Sequence, residues 1–146
     1  MNGERRPLWS RPADLLRGVR NKIFGDRGER AAVVFLRRAG LKIVATNVRN
    51  VGGEIDVIAR DGDVLVFVEV KTRTSAFAGT PAEAVTADKR RRLTRAAAAE
   101  MKRRRWHGRR CRFDVLALLW PEGEGSPDVT HYRHAFEADD SVGPFA

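Results

Sequence analysis

Apolar residues recur along this chain with two different periods. Ala32, Phe35, Leu36 and Ala39 fall three and four apart, which predicts a helix over residues 27–39 with Gly40 as its stop. Residues 41–49 read as a strand. Two further runs, 55–60 and 64–71, are rich in β-branched residues and flank Asp61-Gly62, a strong hairpin signal. Residues 72–81 read as a loop punctuated by Gly79 and Pro81. Thr86 suits the N-cap of a helix running to about residue 104, with Leu93, Ala96, Ala97 and Met101 inward. Phe113, Val115, Ala117 and Leu119 alternate with Asp114, Leu116, Leu118 and Trp120, so residues 112–120 are apolar on both faces. That pattern predicts a central strand covered on each side. Residues 129–136 fit an edge strand after a loop at 123–127. The order is α-β-β-β-α-β with an extra edge strand, an α/β fold whose mixed sheet is flanked by helices.

Around this unit the composition shifts. Residues 1–25 form a basic extension broken by Pro7, Pro12, Gly18 and Gly25, with Leu15, Leu16, Val19 and Ile23 at helical spacing. Residues 26–136 make the folded domain, and 137–146 an acidic, loose tail containing Gly143-Pro144. The 146 residues suit one domain with a sizeable core. Net charge is +9 and the pI about 10.9, but the distribution says more. From Lys89 to Arg112 there are twelve Lys/Arg against one acid, Glu100; from Pro121 onward, six acids face one base, Arg133. The basic block reads as a phosphate-tracking surface, with a solvated helix as its rival. Its candidate nucleic-acid contacts are Lys89, Arg90, Arg91, Arg92, Arg95, Lys102, Arg103, Arg104 and Arg105, with Arg73 at a strand end. The single cysteine, Cys111, excludes an internal disulfide and a cysteine-cluster zinc site and reads as a structural thiol. No apolar run approaches membrane-spanning length, and Arg5-Arg6 is not followed by a secretory h-region, so a cytoplasmic location is expected.

The chemistry lies in the hairpin. Acids stand in apolar strands at Asp56 and Glu69, where burial is unfavourable unless they hold something positive. With Asp61-Gly62 as the loop, Asp56 falls opposite Phe67 and shares a face with Glu69 and Lys71, while Val64, Val66, Val68 and Val70 form the core face. The diagonal from Asp56 to Glu69 is then roughly 7–8 Å, close enough for two carboxylates to share one cation. The same register sets Glu54 across from Glu69. Oxygen-only donors suit magnesium, with manganese as a substitute. Lys71 would orient water or stabilise charge on a phosphate. The competing reading is a solvated strand face carrying a Glu-Lys pair. His131 and His134, three apart on a strand, make a poor metal pair, and Trp106-His107 reads as a helix-end cap ahead of a base-stacking platform.

Asp56 followed by Glu69-Val70-Lys71 resembles the PD-(D/E)xK signature of restriction-endonuclease-like nucleases, with Ile55 where that name expects proline. The longer series of Gly28-Glu29, Gly53-Glu54-Ile55-Asp56, Val68-Glu69-Val70-Lys71 and Arg112-Phe113-Asp114 is similar to the bacterial YraN-like family, over about residues 27–120. That resemblance extends to archaeal Holliday-junction resolvases. It implies a restriction-endonuclease-like core with the metal site at one sheet edge. Asp56 and Glu69 would be metal ligands, Lys71 the catalytic lysine, and Glu29 an additional acid from the first helix. Without the resemblance, Glu29 reads as an acid favouring its helix dipole.

Two functions of different class follow as expectations. One is a magnesium-dependent endonuclease hydrolysing phosphodiesters in DNA, with branched DNA and a two-fold homodimer implied by the resolvase likeness. The other is a non-catalytic nucleic-acid-binding module of the same fold serving a larger assembly.

Overall fold

A computed structural model describes residues 26–73, 85–120 and 125–142. The basic extension and most of the expected 72–81 loop lie outside the described residues. Helix α1 covers residues 26–38. It is followed by β1 (Lys42–Asn50), β2 (Gly53–Asp61), β3 (Val64–Arg73), helix α2 (Ala87–Arg103), β4 (Cys111–Leu119) and β5 (Asp128–Phe136), with a short 3-10 turn at Asp140–Val142. The strands form one sheet in the order β1-β2-β3-β4-β5. All neighbours are antiparallel except β3 and β4, which run parallel. A parallel pair needs a crossover, and α2 lies in it.

Each helix covers one face. Ala32 and Leu36 of α1 pack with Val57, Ala59, Val66, Val68, Leu116 and Leu118. On the opposite face Leu93, Ala96, Ala97 and Met101 of α2 pack with Ile58, Leu65, Phe67, Phe113 and Val115. This mixed α/β sandwich is consistent with a restriction-endonuclease-like core. The Val64–Val70 set is therefore not the sole core face. Phe67, assigned to the face of the acids, is 1% exposed beneath α2. The inward residues of α2 are those its periodicity predicts, and Thr86 caps it by accepting from the Lys89 N–H at 3.3 Å. Ala39 is a correction. Helix α1 stops one residue earlier, leaving Ala39 exposed, and Gly40 turns the chain with φ +92°.

Two polar devices lock the sandwich. At the β1–β2 turn, Asn50 Oδ1 accepts from the Gly52 and Gly53 N–H groups at 2.8 and 3.2 Å. Its Nδ2 donates to the Ala96 carbonyl and to Glu100 Oε1. Gly52 is required by this approach, because a Cβ there would sit 2.5 Å from the Arg95 carbonyl of α2. Glu100 is fully buried, and Arg103 and Arg104 bond it at 2.9 and 2.8 Å. Burial alone would raise its pKa, but those guanidinium groups and Asn50 bring it down to about 2.

The second device surrounds Asp114. Between the pairs Phe113–Phe136 and Val115–Tyr132, strand β5 places Arg133, His134 and Ala135 against Asp114 alone, a pronounced bulge. His134 adopts φ 49° there, and its N–H donates to Asp114 Oδ1 at 2.9 Å. His131 Nε2 donates to Oδ2 at 2.8 Å, and Arg112 bonds both Asp114 and Asp61. Burial works to raise the Asp114 pKa, yet His131, Arg112 and the His134 amide hold it below the usual carboxylate range. The His131 ring thus serves Asp114, while the His134 ring meets Glu137 at 2.6 Å.

Trp106 packs against the α2-side core under the Arg104 guanidinium, consistent with its role as a helix-end cap. Cys111 is half-buried, and burial pushes its thiol up to about 11, consistent with a structural cysteine. The start of the acidic tail is docked rather than loose. The Asp139 N–H donates to Thr94 Oγ1 at 3.0 Å, and its carboxylate meets Arg91. No helix among the described residues is long and apolar enough to cross a membrane.

Replacing Asp114 with alanine leaves Arg112 without its buried partner. We expect a loss of about 3 kcal/mol in urea unfolding. Glu100 has a folded pKa below its ordinary 4.5, so its contribution is complete above that value and disappears as pH falls toward about 2. Acid titrations of stability should therefore show a shallower decline over that interval in Glu100→Gln than in the parent protein.

Candidate active site

Strands β2 and β3 pair from Asp61–Val64 to Val57–Val68 and stop there. The loop is Gly62-Asp63, not Asp61-Gly62, with Gly62 at φ +58° in the first loop position as a type II′ hairpin requires. The register is therefore displaced by two residues from the expected one. Parity survives the shift, but continuing the ladder brings Asp56 level with Glu69 instead of Phe67. Glu54 is also corrected. It is level with Arg49 on β1 and pairs with it at 3.2 Å in solvent, away from Glu69.

The pleat of β2 breaks at Asp56. Ile55 joins the α2-side core with Val48, whereas Val57, two residues on, joins the α1-side core. At the break the Asp56 carboxylate reaches across, and Oδ2 accepts from the Val70 N–H at 2.8 Å. A side chain thus replaces the next rung of the ladder, satisfying an amide that the departing strand would orphan. This brings Asp56 near enough to Glu69 for the two carboxyl groups to influence each other's charge. Burial first, and then the Glu69 charge, push the Asp56 acid up to about 7; Glu29 adds to the rise. Glu69 is 8% exposed, and two ammonium groups meet its Oε1, Lys71 at 3.4 Å and Lys89 at 2.7 Å. Burial and the neighbouring Lys89 draw Lys71 below the usual lysine range, against the pull of Glu69. For Lys89, burial is outweighed by Glu69 and its neighbours, and the net direction is upward.

The sequence-derived set Asp56, Glu69 and Lys71 is thus brought together between two inner strands, where their pairing stops, rather than at a sheet edge. Glu29 joins it from the start of α1. That helix begins tight against β3, since a Cβ on Gly28 would collide with the Thr72 hydroxyl. Asn47 on β1 donates to Glu29 Oε2 at 2.5 Å from a left-handed backbone, φ 51°. Neither Asn47 nor the closeness of Lys89 to Glu69 was read from the sequence. A polar residue with αL tolerance in a β-branched strand was the available sign for Asn47. For Lys89, no local pattern could identify an acid on another element.

The rest of the basic block is divided. Arg92 pairs with Asp88, Arg91 with Asp88 and Asp139, and Arg103 and Arg104 with Glu100. The Arg90 Nε donates to the Val85 carbonyl. Arg95, Lys102 and Arg105 stand exposed on or just beyond α2. Arg73 closes β3, its carbonyl accepting from the Trp120 N–H at 3.0 Å. Among the described residues, no group of three or more His, Cys, Asp or Glu side chains is arranged to hold a metal.

Asp56, Glu69, Lys71 and Lys89 all fall within a span that matches a protein family. Residues 28–118 match UPF0102, described as an uncharacterised protein family. A UPF0102 protein of Symbiobacterium thermophilum is 53% identical over 114 residues, covering 78% of this chain and 96% of that protein. One from Rhodopirellula baltica is 46% identical over 121 residues, covering 81% and 72%. One from Rhodococcus opacus is 45% identical over 116 residues, covering 80% and 98%. The chain belongs to the UPF0102 family, the YraN-like family that its spaced acids and lysine resemble.

Proposed function

We propose that this protein is a cytoplasmic, metal-dependent endonuclease that hydrolyses phosphodiester bonds in DNA. The observation that supports it most is the meeting of Asp56 and Glu69 where the β2–β3 ladder opens, with Lys71 on the same carboxylate. An acid pushed up to about 7 beside a second carboxylate marks a site short of positive charge. Two oxygen donors also fit a hard divalent ion such as magnesium or manganese. Magnesium commonly takes one or two carboxylates and completes its shell with water and phosphate oxygens, so a third protein acid is not required.

Asp56 and Glu69 would hold the cation, and Glu29 lies close enough to Asp56 to add negative charge around it. When bound, such an ion polarises a phosphoryl oxygen and lowers the pKa of a coordinated water. The protein's own groups supply the rest. The Val70 amide fixes the Asp56 carboxylate in place. Lys71, half-buried and drawn below the usual lysine range, either orients the attacking water or donates to the phosphate under attack. The exposed cations Arg95, Lys102 and Arg105 offer phosphate contacts at a distance from the chemistry. The resolvase likeness favours branched or otherwise structured DNA, with a two-fold dimer cutting two strands.

A second reading has one observation in its favour. Glu69 is already neutralised by two ammonium groups, and no third ligand-type residue completes a metal cluster among the described residues. That arrangement suits a module that binds nucleic acid without cutting it.

Cleavage assays over linear duplex, fork, flap and four-way junction, with magnesium or manganese, separate the two. The enzyme should nick at least one substrate, and Lys71→Ala should lower the rate at least about 100-fold with DNA affinity nearly unchanged. Tight binding with no nicking of any substrate would favour the binding module. Metal occupancy has a separate readout in thermal unfolding. At ten times Kd, manganese should stabilise the parent protein by about 1.4 kcal/mol over EDTA, and Asp56→Asn and Glu69→Gln should abolish the effect.

A further inference from the structure

Lys89 is the second ammonium group at Glu69, and it comes from a different element. Its Nζ lies 2.7 Å from Glu69 Oε1, closer than Lys71 at 3.4 Å on the same oxygen. It is the third residue of α2, in the first turn, where the helix dipole disfavours a cation. Helix stability therefore gives no reason for a lysine there. The other described ion pairs of α2 are made to its own acids or to Asp139 of the tail. Lys89 alone among these described pairs crosses to an acid of the sheet. The Thr86 cap fixes the first turn and so aims the lysine at the site.

We propose that Lys89 is a positioning residue that competes with the divalent cation for Glu69, and that cation binding releases its ammonium group to grip a phosphate of the bound nucleic acid. The proposal rests on the metal-dependent reading above. A magnesium–oxygen contact is about 2.1 Å. A carboxylate oxygen that kept its ammonium group as well would then hold two positive charges within roughly 4 Å of each other, a repulsion that partial burial strengthens. Lysine can yield because its charge sits on a flexible four-carbon stem. Until then, Lys89 supplies the positive charge that a buried carboxylate needs. Afterwards, the phosphodiester supplies the negative charge that Lys89 needs. Metal occupancy and substrate grip thus become one exchange of charge partners for Glu69 and Lys89.

The test is a manganese titration of the full-length protein, followed by electron paramagnetic resonance of the free ion. Four proteins are compared: the parent, Glu69→Gln, Lys89→Met and Arg92→Met. Arg92→Met removes a positive charge from the same helix without touching Glu69, and so measures the through-space part of any change. Circular dichroism establishes that each variant is folded, and Lys89→Gln replaces Lys89→Met if the latter is not. Competition predicts manganese binding at least about fivefold tighter in the Lys89 variant than in the parent, with less than about twofold change in Arg92→Met. Binding seen only in the Lys89 variant would also support it. Equal or weaker binding in the Lys89 variant overturns the competition, and leaves the metal site standing if Glu69→Gln has lost affinity. If Glu69→Gln binds like the parent, or if no protein binds manganese, the metal-dependent reading fails and this inference with it.

Discussion

The bond from the Val70 amide to the Asp56 carboxylate organises the candidate site of this protein. An antiparallel ladder that continued past Val57–Val68 would pair that amide with β2, leaving the acid no reason to lean toward β3. Because β2 parts from β3 there, one side chain does two jobs. It satisfies a backbone donor, and it brings its negative charge against Glu69. Burial first, and then repulsion from Glu69, raise the Asp56 pKa, and two lysines sit on Glu69 against that excess of negative charge. The electrostatics of the site follow from where a hydrogen-bond ladder ends.

The same chain shows an acid in an apolar strand used in the opposite way. Asp114 is fully buried, yet Arg112, His131 and the His134 amide surround it, and its proton is held less tightly than in water. Asp56 has one amide and an acidic neighbour, and its proton is held more tightly. The difference is in the partners, not in the strand or the depth. Asp114 ties β4 to β5 and, through Arg112 and Asp61, to the turn of the hairpin that carries Asp56. His131 also meets the edge of Phe35 on α1. One acid therefore supports the frame on which the other is displayed.

Much of this was legible in the sequence, for identifiable reasons. Helix α2 follows from Thr86 and the spacing of Leu93, Ala96, Ala97 and Met101, because cap and stripe agree. The central position of β4 follows from its two apolar faces. The hairpin register does not, because Asp61-Gly62 and Gly62-Asp63 are both acceptable loops and the run from Val64 to Val68 is apolar at every position. With both faces buried, alternation cannot arbitrate a shift of two residues, which preserves parity in any case. The sharing of a site by Asp56, Glu69 and Lys71 survived for that reason. The contacts of Lys89 with Glu69 and of Asn47 with Glu29 are not legible because the partners are distant in sequence. An arginine-rich helix also conceals the one lysine that turns inward.

The outer strands have a consequence for how copies of this protein can associate. β1 carries a register break at Val44 and a left-handed residue at Asn47. β5 folds three residues around Asp114 and is left-handed at His134. Neither border offers a straight row of donors and acceptors to a neighbouring chain, so lateral growth of the sheet into oligomers or fibrils is disfavoured. Association of two copies is correspondingly directed away from the β-borders and toward helical or loop surfaces.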